Sequence, residues 1–298
     1  MKTEIHAQAS AAVKKAGPKK EGMWIQTFKR VFHDRVAMIG LIGIVILILL
    51  AIFAPVLTPY DPNQLDFASK EAPSLAHLMG TDELGRDYLT RLLYGARYSL
   101  TLGIASAFFA VFIGVILGAI AGYYGAWVDN VFMRFCDIVQ SVPGVVISII
   151  ISLALGTGYV VTIFALALGG CTHSMRLMRA QVMAVRSSEY LDAAKTINCG
   201  TGRIIFGHIM PNVISPLLLD FTMKIAQMIQ FSAGLSVIGM GVQPPTPEWG
   251  AMVSAARDFI KTSPYMIIFP GLFIFAISLF INFFGDGLRD AMDPKLKK

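Results

Sequence analysis

Charge is scarce in this chain: only 15% of its 298 residues are Asp, Glu, Lys or Arg, against roughly 25% in an ordinary soluble domain. Hydrophobic residues make up 55%, and the mean hydropathy is +0.63. A soluble globule is excluded. Cysteine is scarce too. The three thiols, Cys136, Cys171 and Cys199, are odd in number and form no CxxC pair, which argues against a disulfide framework or a thiolate metal centre. No G-x-x-x-x-G-K-[ST] phosphate cradle occurs, so a pump that burns ATP within one chain is excluded. No His-Glu-x-x-His occurs either, and His6, His33, His77, His173 and His208 never flank one another, which removes an intramembrane metalloprotease. An aspartyl protease would need two facing acids at depth, but Asp137, Asp220 and Asp286 are expected near inner span ends. The two halves of the chain do not resemble each other, which counts against a secondary transporter of inverted repeats. A signal peptide has a short charged lead and a short apolar segment; here 35 polar-to-basic residues precede the run 36–57, so that run is expected to remain as an anchor.

What the chain has is length of apolar run. Charge-free stretches cover 36–57, 98–128, 138–175, 225–247 and 262–285, and each reaches the roughly 20 residues needed to cross about 30 Å of hydrocarbon. The third is too long for one crossing and carries Gly156-Thr157-Gly158 at its middle, so it divides there. Six spans are expected, near 36–57, 99–122, 134–155, 160–180, 213–239 and 266–286. With both ends cytoplasmic, eighteen Lys and Arg fall inside and six outside, the distribution that orients membrane proteins. The net charge of +6 then reflects topology rather than nucleic-acid binding. The Ala/Lys-rich first 20 residues are expected to be disordered.

Three polar segments remain. In the outer loop, Gly80-Thr81-Asp82-Glu83-Leu84-Gly85-Arg86-Asp87 precedes Tyr88, Leu89, Leu92, Leu93 and Tyr94 at helical spacing. This reads either as a capped amphipathic helix at the outer interface or as a plain lead-in to the second span. In the inner loop, Ser187 or Ser188 can cap a helix opening with Glu189 and Asp192 and running to Ile197. Asn198 then suits a left-handed cap, and a second short helix is expected before Pro211 opens span five. Small Ala faces and exposed acids would suit docking into another protein's groove. Between spans five and six, Gln243-Pro244-Pro245-Thr246-Pro247 cannot continue a helix, Trp249 suits a membrane interface, and 250–259 can form a short helix. Within span five, Asp220 and Lys224 share one helical face. They either line a path or meet a partner, or form a self-paired bridge.

The order Glu189-Tyr190-x-x-Ala193-Ala194, a turn residue at Asn198, then Arg203-Ile204-Ile205-Phe206-x-His208-Ile209-x-Pro211-Asn212 resembles the EAA loop of ABC-importer permeases. More narrowly, the chain resembles the second permease subunit of the dipeptide/oligopeptide/nickel family, the dipeptide permease C-like type. The likeness extends to 80–87, 94–100, 244–250 and 285–294, in order along about 24–295. It implies an all-α integral membrane protein of type I importer architecture in a bacterial or archaeal cytoplasmic membrane. The implied parts are a tail at 1–35, a span at 36–57, an outer loop at 58–97, a five-span core at 98–290 with a coupling loop at 187–212, and a tail at 291–298.

By resemblance, Glu189, Tyr190, Asp192, Ala193, Ala194, Asn198, Arg203, His208 and Pro211 couple the chain to an ATPase. Asn198 stands where that family prefers Gly, and Met210 where Leu is usual. From the residues alone, His208 reads as a structural residue packing the loop. Asp82, Gly85, Arg86, Asp87, Pro245, Trp249 and Gly250 would lie near the outer gate, facing a binding protein. The implied partners are a sister permease, two cytoplasmic ATPases, an extracytoplasmic substrate-binding protein and the lipid bilayer, with no nucleic acid. The chain itself is expected to perform no catalysis and to hold no metal or cofactor, ATP and Mg residing in the ATPases. Peptides are the expected cargo, with nickel or a metal chelate as the alternative and an ATP-independent channel as a more distant one.

Overall fold

The computed structural model describes residues 23–292, and among these the regular structure is helical apart from one isolated bridge between Thr81 and Asp87. The expected disorder of the first 20 residues and most of the C-terminal tail lie outside the described residues. Ten helices follow in chain order. They are α1 (Met23–His33), α2 (Arg35–Leu57), α3 (Tyr88–Tyr124), α4 (Ala126–Gln140), α5 (Gly144–Leu155), α6 (Tyr159–Val185), α7 (Glu189–Thr196), α8 (Thr201–Val237), α9 (Trp249–Ala256) and α10 (Tyr265–Met292).

Helices α2, α3, α6, α8 and α10 are each long and apolar enough to cross a membrane, and α4 with α5 makes a sixth crossing only as a broken pair. The pair bends by 86°. The expected continuous span over 134–155 is therefore corrected, and the cause is Pro143: it offers no N–H to the ladder and disfavours helical geometry at Val142. The division at Gly156-Thr157-Gly158 does occur, on glycine φ values of +91° and +140° that a side chain would resist.

Three further segments bear on the expectations. Residues 23–33, assigned to a tail, form a helix whose Val31 is buried against Ala37 and Ala291. Of the two readings of residues 88–97, the structure has the plain lead-in to the second span and no separate interfacial helix. These residues open α3, with the Asp87 carboxylate accepting from the Thr90 N–H at 2.8 Å, and Tyr88, Leu92 and Leu93 are buried in protein rather than turned to lipid. Nor does a second short helix stand before Pro211. Residues 201–237 form one continuous helix, which widens to π geometry over Ile204–Ile209 so that the Met210 N–H reaches the Ile205 carbonyl. The wider turns carry the helix past Pro211, which has no N–H to give an α-type ladder.

Small residues set the packing. Gly114, Gly118 and Gly122, spaced by four, lie against α6 so closely that a Cβ on Gly118 would sit 2.3 Å from the Met175 carbonyl oxygen. This is the small-xxx-small device by which membrane helices approach when burial from water gives no drive. Gly40 does the same between α2 and α10, where a Cβ would fall 2.5 Å from the Phe280 oxygen.

Candidate functional site

At the inner end, the α7 loop is held by two side chains. Leu191 and Ala194 are buried in a cluster with Met178, Val182, Ile204, Ile205 and Ile209, which ties α7 to the bases of α6 and α8. The Ser188 carbonyl accepts from Leu191 and Asp192, starting the helix, while its hydroxyl turns back to donate to the Val185 carbonyl at 2.6 Å. Asn198 takes φ +57°, and the Cys199 N–H closes on the Ala194 carbonyl at 3.0 Å. That six-to-one bond is a Schellman closure, with Asn in the left-handed seat.

The loop's faces divide accordingly. Glu189, Tyr190, Asp192, Ala193 and Arg203 are exposed, whereas Ala194 is inside, so the two alanines expected on one docking face are separated. His208 is half-buried, and its carbonyl accepts from the Asn212 amide at 2.7 Å, the same amide that reaches the Tyr190 hydroxyl at 3.4 Å. Pro211 is exposed at the end of the π segment. Ion pairs from Arg179 to Asp129 and from Arg176 to Asp137 tie α4 to α6 above this loop.

Within the span region, Asp220 and Lys224 line a cavity of about 600 Å³. The Asp220 carboxylate takes the Ser174 hydroxyl at 2.5 Å and lies 3.6 Å from both the Lys224 ammonium and the His173 Nε2. Lys224 also donates to the Gly170 carbonyl at 3.4 Å. Pairing and cavity lining therefore occur together. His173 escaped the sequence reading; it lies on α6, far along the chain, and only the α6–α8 packing brings it to Asp220.

The outer end is a closed knot. Asp82 accepts from the Leu84 and Arg86 N–H groups at 2.9 Å and pairs with the Arg86 and Arg91 guanidinium groups at 2.5 and 3.4 Å. Arg91 reaches on to the Pro62 and Pro245 carbonyls at 2.9 and 3.3 Å, joining the two outer loops. Asp87 caps α3 and meets His77 Nδ1 at 2.9 Å. Gly85 has φ +75°, and a Cβ there would strike the Phe67 carbonyl.

Trp249 is wholly buried rather than interfacial. Its ring packs on Phe273 and its indole N–H donates to the Leu92 carbonyl at 3.0 Å. Gly250 leaves no room for a Cβ against Ala233. Asp82, Gly85, Arg86, Asp87, Trp249 and Gly250 thus brace the outer end from within, and of the expected outer-gate set only Pro245 is exposed.

The centre of this knot, Glu248, carried no role in the sequence reading. Its buried carboxylate accepts from the Ala251 N–H at 2.8 Å and from the Ser236 and Ser99 hydroxyls at 3.2 and 3.3 Å. It caps α9 while tying Ser99, three turns into α3, to the outer end of α8. Burial pushes its pKa up, against the downward pull of these donors. The available signal was its place before a short helix, following a run of prolines.

Packed spans with loops at both ends define a polytopic membrane protein, and the chain belongs to the family described as the binding-protein-dependent transport system inner membrane component, which matches residues 114–298. The N-terminal TM domain of oligopeptide transport permease C matches residues 22–75. It is accordingly an ABC-importer permease of the dipeptide/oligopeptide type and a multi-pass membrane protein.

Among characterised relatives, the chain is 39% identical over 304 residues to the dipeptide transport system permease protein DppC of Alkalihalophilus pseudofirmus, covering 100% of both chains. It is 39% identical over 276 residues to the glutathione transport system permease protein GsiD of Pectobacterium atrosepticum, covering 92% of each. The inward-facing MetNI methionine ABC transporter shares the fold, with a TM-score of 0.52 at 16% identity over 67% of this chain and 96% of that one.

Proposed function

We propose that this chain forms half of the path of a peptide importer, moving di- or oligopeptides across the cytoplasmic membrane by alternating access driven by separate ATPase subunits. The observation that carries this reading is the α7 loop. A short helix fixed by Leu191 and Ala194 presents Glu189, Tyr190, Asp192 and Ala193 outward and leads directly into a continuous α8. A partner that grips α7 acts on the inner end of a 37-residue helix, about 55 Å of rod at 1.5 Å per residue. Two ATPases supply ATP and Mg, a sister permease supplies the other half of the path, and a binding protein delivers cargo outside. The relatives named for dipeptide and for glutathione, itself a tripeptide, favour amide-rich cargo over nickel.

The test is uptake of a labelled dipeptide into vesicles holding both permeases, both ATPases and the binding protein. Ala193→Trp places a bulky ring on the exposed face of α7. It is expected to cut ATP-driven uptake more than about tenfold, the loss when an interface gives up about 1.4 kcal/mol, and to release the ATPases on purification while insertion stays intact. Full-rate transport by this chain alone without nucleotide overturns the proposal.

A further inference from the structure

The cavity beside Asp220 contains ionic groups, yet those groups are turned on each other. Lys224 has 3% of its side chain exposed and Asp220 9%. The carboxylate is shared among Ser174, Lys224 and His173, and the ammonium also serves the Gly170 carbonyl. The pair sums to zero charge. Recruiting either member to a charged peptide terminus would strip the other of its partner in a poorly hydrated place, which is strongly unfavourable.

What the cavity offers cargo is different chemistry. Gln140, at the end of α4 just before the 86° bend, and Gln227 on α8 are both exposed lining residues. His173 on α6 leaves 74% of its side chain open. A glutamine amide carries the same donor and acceptor pair as a peptide group, and the imidazole of His173 keeps its second ring nitrogen, Nδ1, beyond the Nε2 that faces Asp220. Three helices thus bring hydrogen-bonding groups to one space, while Met223 and Phe231 add apolar wall for variable side chains. The volume of about 600 Å³ lies in the range of small-ligand sites.

Resting on the peptide reading above, we propose that this cavity is a transient cargo site that reads the backbone amides of the peptide through Gln140, Gln227 and His173, and leaves the charged termini unread. The Asp220–Lys224 pair is a positioning element that keeps the wall neutral. Neutral hydrogen bonds exchanged against water hold weakly, which suits a site that must release its cargo. A charged clamp would retain it.

The experiment uses the nucleotide-free complex of both permeases and both ATPases in nanodiscs, without binding protein. Equilibrium dialysis measures labelled alanyl-alanine and its N-acetylated, C-amidated form. Both are expected to bind with affinities within about threefold of each other, and Gln140→Leu with Gln227→Leu to weaken both by about tenfold to thirtyfold, as for two lost neutral hydrogen bonds. Binding of the free zwitterion alone overturns the inference, as does unchanged affinity in the double variant. The wild-type comparison of free and blocked peptide stands even if the double variant fails to assemble.

Wild-type complex that binds neither peptide also overturns the site. ATP-driven uptake of alanyl-alanine by the same complex, reconstituted into sealed vesicles with binding protein, then separates the two failures. Uptake without cavity binding removes only the site, and absence of uptake removes the peptide reading with it.

Discussion

The two ends of the molecule handle their polar and apolar groups in opposite ways. At the outer end, Asp82, Arg86, Asp87, Arg91, Glu248 and Trp249 are each at most 5% exposed, and their polar groups find partners within the chain, some in the same turn, as Arg86 with Asp82, and some far along it, as Arg91 with Pro245 and Glu248 with Ser99. At the inner end, Tyr190, Ile197 and Phe206 stand 42%, 79% and 64% exposed around a helix fixed by two buried side chains. The charged groups of the outer end are paired within the chain, whereas α7 at the inner end leaves Glu189, Tyr190 and Asp192 exposed. Helix α8 joins the two ends, because it starts beside α7 at Thr201 and its outer end is held at Ser236 by Glu248.

The sharpest way to break this comparison is to remove one aromatic side chain from each end. Trp249→Ala deletes a fully buried ring that packs on Phe273 and donates to Leu92, and it is expected to cost about 3–5 kcal/mol. Tyr190→Ala should fall within about 0.5 kcal/mol, as exposed sites do. Thermal unfolding of the detergent-purified chain measures both. Equal losses at the two ends would end the distinction.

Much of this architecture was legible in the sequence because membrane spans are written in composition. Runs of uncharged residues placed α2, α3, α6, α8 and α10, and Gly156-Thr157-Gly158 placed the division between α5 and α6. The αL seat of Asn198 was legible because it follows from a local cap. What the pattern hid was set by tertiary partners. Periodicity over 88–97 cannot tell a lipid-facing stripe from one buried under α9 and α10, and Trp249 is suited to either place. The π segment before Pro211 was illegible because proline signals a start as readily as a helix that widens to pass it. Glu248 and His173 were missed for one reason: their partners, Ser99, Ser236 and Asp220, are distant in sequence.

The next test sharpens what holds the outer end shut. Burial raises the Glu248 pKa above its unfolded value, so the folded chain binds that proton more tightly. The stability this supplies is complete below the ordinary carboxylate range and is lost as pH climbs through the raised folded value. Wild-type melting temperature should therefore fall as pH rises from the ordinary carboxylate range. Glu248→Gln, which keeps one acceptor and adds an uncharged donor, should cost about 1–3 kcal/mol where the acid is protonated and flatten that slope. An unchanged slope in the variant would assign the pH dependence to another group.

The smallest effect is expected at the turn that shapes the inner end. Asn198 holds φ +57° at the Schellman closure, a seat that Asn tolerates and that glycine takes without Cβ strain. Asn198→Gly relieves that strain but gives the unfolded chain more freedom to lose, and the two effects oppose each other at about 0.5–1 kcal/mol each. Stability should thus move by only a few tenths of a kcal/mol, with ATP-driven uptake unchanged. Asn198→Val, a β-branched residue in the same seat, should cost about 1–2 kcal/mol and speed hydrogen exchange across 189–203. If glycine instead raised uptake severalfold without changing stability, Asn198 would be limiting the grip on α7, and the inner end would be tuned by its turn as well as by its exposed face.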